Sequence, residues 1–120
     1  MNQQFKVPKE YIELLDQLFE IERKLEGIQD SHNITRNINR MKDIFENLNS
    51  NSGEYSGGLV YHNPIGELYN ETRLDLEASI AGKSTENLFV TEVIKPIIRY
   101  RLGGSTLIVR KGVVVVESKN

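Results

Sequence analysis

The chain has 120 residues, a net charge of −2 and a charged fraction of 27%. That length suits one compact domain, or a small domain with an appendage, and leaves little room for a deep cleft between two lobes. The balanced charge gives no global reason to expect nucleic acid or an anionic membrane as partner, and the absence of cysteine removes disulfides, thiolate metal sites and a cysteine nucleophile.

Residues 1–10 are polar and carry no apolar run of the signal-peptide kind, and no stretch approaches the ~20 apolar residues of a membrane span. The expectation is a soluble cytoplasmic protein in a reducing compartment. The glycosylation sequons Asn33-Ile34-Thr35 and Asn70-Glu71-Thr72 mean little without a secretory signal.

Residues 8–48 have helical periodicity. Pro8 suits a first helical turn, where its missing N–H is not needed. Tyr11, Leu14, Leu18, Ile21, Leu25 and Ile28 follow alternating steps of three and four, the seam of a coiled coil or helix bundle. Ile12, Leu15 and Phe19 widen the stripe, as in a bundle. Gly27, Asp30, Ser31 and Asn33 interrupt the pattern, and a second seam, out of register with the first, runs through Ile34, Ile38, Met41, Phe45 and Leu48. This predicts two helices with a break near residues 30–33, capped by Asp30, Ser31 or Asn33; one bent helix is the alternative.

Helices this short are marginal alone, so the seams must meet the chain's own sheet or a second copy of themselves. Two protomers with two helices each would make a four-helix bundle. Its dimer seam would hold Leu14, Leu18, Ile21, Leu25, Ile28, Ile38, Met41 and Phe45. A monomer with its helices lying on its own sheet fits the pattern equally well.

Residues 47–58 have neither helical nor strand period and read as a flexible connector. The expected organisation is a helical dimerisation region over 1–49, a linker over 50–58 and a β-domain over 59–120. Leu59-Val60-Tyr61 is a short strand candidate, followed by turn chemistry from His62 to Glu67, with Pro64 and Gly66 at its centre. Leu74, Leu76, Ala78 and Ile80 alternate with Asp75, Glu77 and Ser79, which predicts a half-buried strand with a wet acidic face. Residues 88–102 and 106–116 are dense in β-branched side chains and meet at Gly103-Gly104, a hairpin signal. Pro96 marks an edge, a bulge or a strand end, and Lys111-Gly112 a bulge or tight turn. The expected fold class is α+β: amphipathic helices, then four to six strands in a small, mostly antiparallel sheet or open barrel.

Few residues suggest chemistry. Gly82-Lys83-Ser84 lacks the glycine of a phosphate loop, since Glu77 stands five positions before Gly82, and a surface turn is the better reading. His32 and His62 lie in different modules with no second ligand at metal spacing. Asp75 and Glu77 share a strand face; a carboxylate pair for acid–base hydrolysis is one reading, and the solvated side of a strand is the expected one. More informative are Lys95, Arg99, Arg101, Arg110 and Lys111, five cations with no acid between Val93 and Val116. Arg99 and Arg101 share a face by period two, and Arg110 can join them across the hairpin with Ile108 beside it. Such a patch suits an acidic protein surface or phosphates. Nucleic acid is disfavoured, because no aromatic stacking platform accompanies it, and cations guarding exposed strands are the plainer alternative.

Residues 59–117 resemble the β-domain of the GrpE family, the nucleotide exchange factors of DnaK-type chaperones. The resemblance is carried by Asn63-Pro64-Ile65-Gly66-Glu67 followed by Glu77-Ala78, then Val90-Thr91-Glu92-Val93-Ile94, and finally Arg110 with Val113-Val114-Val115-Val116. The order of helices, connector and terminal β-domain is also the family's. Leu76, Lys95-Pro96 and Lys111-Gly112 depart from the family pattern. The resemblance implies a homodimer with no cofactor and no catalytic side chain. It would bind the ATPase domain of a DnaK-type chaperone, promote ADP release and serve protein folding under stress. The residues expected to dock are Arg99, Arg101, Ile108 and Arg110. A dimeric interaction module without exchange activity is the alternative.

Overall fold

The structure is a computed structural model and describes residues 7–29, 33–48 and 57–119. Two helices, α1 (Lys9–Leu25) and α2 (Ile34–Glu46), precede seven strands: β1 (Gly57–His62), β2 (Leu68–Tyr69), β3 (Leu76–Ile80), β4 (Leu88–Lys95), β5 (Ile97–Leu102), β6 (Ser105–Arg110) and β7 (Gly112–Ser118). The architecture is α+β with a small, mostly antiparallel β-domain, as expected.

The helices divide where the periodicity broke. α1 ends before Gly27, whose φ of 78° suits a residue without a Cβ. Asn33 occupies the position before α2, but with a left-handed φ of 57° and no side-chain hydrogen bond to the first turn. The extended backbone from which a capping side chain normally reaches that turn is absent there. Asp30 and Ser31, the other expected caps, lie outside the described residues, as do residues 49–56 of the expected connector. Gly57 and Gly58, also expected in the connector, belong to β1.

The strands form two sheets, β1-β5-β6 and β2-β4-β7-β3. Every pairing is antiparallel except β3 with β7. Pro96 cannot donate a ladder hydrogen bond, and there the chain leaves the larger sheet for the smaller. It crosses back at Lys111, so β6 and β7 also lie in different sheets. The two crossings are packed together: a Cβ on Gly112 would stand 2.9 Å from Ile97 Cγ1 and 3.0 Å from Leu76 Cδ2. The count of seven exceeds the expected range because β2, only two residues long, pairs with β4.

Between the crossings, Gly103-Gly104 turns β5 into β6. Leu102 pairs with Ser105, and Gly103 has a φ of 59°, the geometry of a two-residue hairpin loop. β3 begins at Leu76, where its ladder to β7 starts opposite Gly112. Leu74 was expected to be half-buried in that strand, but it precedes the ladder and is 75% exposed.

Two apolar clusters hold the layers. Leu76, Leu88, Val90, Val93, Ile97, Val114 and Val116 pack with Phe19 of α1, and Leu15 of the same helix packs with Leu59, Ile98 and Tyr100. One face of α1 thus seats on both sheets. α2 lies against β1, where a Cβ on Gly58 would fall 1.9 Å from the Glu46 carbonyl oxygen. Polar contacts reinforce the seat. Arg23 donates to the Val93 carbonyl at 2.8 Å, Lys42 to Glu22 at 2.7 Å, and the Tyr61 hydroxyl donates to Glu22. Burial, with the Glu22 carboxylate beside it, pushes the Tyr61 hydroxyl pKa far up.

Candidate docking surface

Side chains on a strand alternate between faces. In β5, Ile98 and Tyr100 are buried in the cluster around Leu15, so Arg99 and Arg101 occupy the opposite face. Register adds their neighbours: Arg99 pairs with Val60 on one side and Ile108 on the other, and Arg101 with Thr106. Val60, His62, Arg99, Arg101 and Thr106 border an open hollow of about 570 Å³ that also reaches Leu15, Leu59 and Tyr61 of the other face and Lys42 and Glu46 of α2.

A chain of ion pairs stiffens one end of this surface. Arg99 donates to Asp75 at 2.9 Å. Arg73 donates to the same carboxylate at 3.0 and 2.9 Å and to Glu67 at 3.1 Å. Glu67 in turn meets His62 Nε2 at 2.5 Å. The hydrogen-bonded Arg73 guanidinium holds the Asp75 carboxyl below the usual carboxylate range against the opposing effect of burial, and the charge of Arg99 adds to it. Arg73 is pushed up by the same contacts, chiefly its bonds to Asp75. The expected wet acidic face is therefore corrected at Asp75, which is closed off by two arginines. Glu77 is exposed.

Of the four residues expected to dock, three share this face and one does not. Ile98 pairs with Arg110 while Arg99 pairs with Ile108, so Val109 is an extra residue on β6. Such a bulge resets the alternation and separates Arg110 from Ile108. Arg110 turns toward α1, donating to Asp16 at 2.6 and 2.7 Å and to the Pro96 carbonyl at 2.8 Å. It acts as a strut between helix and sheet. Arg101 is freer, meeting Glu46 at 3.5 Å with more than half of its side chain exposed.

The residues expected at a dimer seam also divide. Leu18 and Ile38 are buried within the chain, Leu25 is half-buried, and Phe45 packs on the Leu15 cluster with its ring edge-on to Tyr11. Leu14, Ile21, Ile28 and Met41 are exposed, and Ile34 and Ile44 are exposed beside them in α2. A wide apolar stripe does not reveal in advance which half will meet the sheet.

Gly82-Lys83-Ser84 lies in the turn between β3 and β4, with Gly82 at a φ of 86°. His32 lies outside the described residues. Among the described residues, no group of three or more histidine or acidic side chains is placed to hold a metal ion, and no helix is long and apolar enough to cross a membrane. Compared with known proteins, the chain matches no family model, no curated protein and no solved structure.

Proposed function

We propose that the chain is a GrpE-like nucleotide exchange factor. It pairs with a second copy through its helices, docks on the ATPase domain of a cytoplasmic DnaK-type chaperone through the face bearing Arg99, Arg101 and Ile108, and promotes ADP release. The observation that carries this reading is the divided use of the helices. Leu15, Leu18, Phe19 and Ile38 are buried within the chain. Leu14 and Ile21 on α1 and Ile28 just beyond its end, with Ile34, Met41 and Ile44 on α2, remain exposed. Apolar lines of that extent favour a partner over water, and a second copy offers the matching lines.

Exchange of this kind needs no catalytic side chain. A factor that binds the open, nucleotide-poor state of the chaperone more tightly than the closed one must weaken ADP binding by the same factor. The test is release of labelled ADP from a DnaK-type chaperone of the same cytoplasm. Acceleration by the wild type, reduced by Arg101→Glu, is expected. Binding without acceleration would overturn exchange and leave an interaction module.

A further inference from the structure

The buried and exposed residues of α1 point in different directions. At about 3.6 residues per turn, Leu15 and Phe19, buried against the two sheets, lie about 120° around the helix from Leu14. Ile21 is exposed along the Leu14 line, seven positions on, and Ile28 is exposed just past the helix end. α2 divides likewise: Ile38 is buried and Phe45 packs on the Leu15 cluster, whereas Ile34, Met41 and Ile44 are exposed. The helices therefore make one layer, with the sheets on one side and an apolar stripe turned away from them.

The smaller sheet is two-sided in the same sense. Leu59, Ile98 and Tyr100 cluster with Leu15 of α1, so alternation turns Val60, Arg99 and Arg101 to the far side. Ile108 and Thr106 stand across the ladder from the two arginines. Every residue of that face comes from one chain, as do Asp75 and Glu46, which meet its arginines. Passing outward from the apolar stripe, the order is helices, smaller sheet, docking face.

A second copy suits the stripe by charge as well as by apolarity. Glu10 and Glu13 stand toward one end of the α1 line and Lys24 toward the other, all exposed. Glu13 has only the exposed Lys9, at 3.7 Å. α1 laid antiparallel on the α1 of a second copy sets acid toward base at both ends. A two-fold dimer presents the same patch from both copies, so with stripe on stripe the sheets become the outermost layers on both sides. We propose, resting on the dimer and docking face of the reading above, that the two docking faces lie back to back on opposite outer surfaces of the dimer. Each face is complete within its own chain, so one dimer engages two partner molecules at once. Two helix layers, each about 10–12 Å thick, separate the smaller sheets. The faces point away from each other, and filling one leaves the other open.

The placement is tested without a chaperone, and the number of partners with one. The chain has no cysteine, so Thr106→Cys and Gln17→Cys each give one spin-label site per protomer. Across the dimer, labels at 106 should stand more than about 30 Å apart, and labels at 17, beside the stripe, less than about 25 Å. The mass of the unlabelled dimer saturated with a DnaK-type chaperone should show two chaperones per dimer, bound with equal affinity. The double variant Leu14→Glu, Ile21→Glu, a monomer, should bind one chaperone within about twofold of that affinity, because distant sites act independently. The proposal is overturned by labels at 106 that lie closer than those at 17, by a wild type that stays monomeric, or by saturation at one chaperone per dimer. Absence of any chaperone binding removes the exchange-factor reading, and the label distances then decide the back-to-back placement by themselves.

Discussion

Arg110 and Asp16, 94 positions apart, meet through two hydrogen bonds of 2.6 and 2.7 Å between guanidinium and carboxylate. Each side chain is about one-fifth exposed, so losing one partner strands the other in a poorly hydrated place. Asp16→Ala should lower unfolding stability by about 1.5–3 kcal/mol, read from urea denaturation. Arg110→Met should cost less in the Asp16→Ala background than in the wild type, what remains being its bond to the Pro96 carbonyl. Arg101→Glu should do the opposite of Asp16→Ala, leaving stability nearly unchanged while weakening partner binding.

The exposed line on α1 gives a second prediction. Leu14→Glu together with Ile21→Glu should abolish self-association in sedimentation while leaving the thermal midpoint of the monomer nearly unchanged. Leu18→Ala, in the buried line of the same helix, should cost about 2–5 kcal/mol. A wild type that sediments as a monomer at every concentration would remove the dimer.

The contact between α2 and β1 gives a third. Gly58→Ala would drive a methyl group into the Glu46 carbonyl, 1.9 Å away, and backbone on both sides gives way poorly. The expected loss is above about 2 kcal/mol, with weaker protection of α2 amides in hydrogen exchange. Gly104→Ala, where nothing lies within 4 Å, is the control and should change stability by less than about 0.5 kcal/mol.

Acid sensitivity should centre on Asp75. Its pKa in the folded chain is lowered, first by the hydrogen-bonded Arg73 and also by Arg99. Its contribution is therefore fully present above the unfolded value of about 3.9 and is lost as pH falls through that value toward the folded one. Between pH 6 and pH 3 the wild type should lose stability more steeply than Asp75→Asn, with urea midpoints as the measurement.

Much of the β-domain was legible in the chain because the signals are local. Gly103-Gly104 takes the positive φ a tight hairpin needs, and Pro96 ends a strand because it lacks a donor. The helix break near residue 30 followed from a slip in periodicity. What stayed hidden depends on distant residues. Nothing near Pro96 says that the next strand joins another sheet, and nothing near Asp75 announces Arg99. The placement of Arg110 failed at one inserted residue, since period-two reasoning holds only until a bulge resets it, and Val109 is that bulge. The seam residues were recognised as apolar, but their division between sheet and surface is decided by which side Phe19 and Leu15 find the strands.

The corner at Gly112 has a consequence for how this chain can change over generations. Ile97 and Leu76 fill the space where a side chain would grow, so the three positions are not free to drift one at a time. Any descendant with alanine or larger at 112 should carry a trimmed residue at 97 or 76, acquired first.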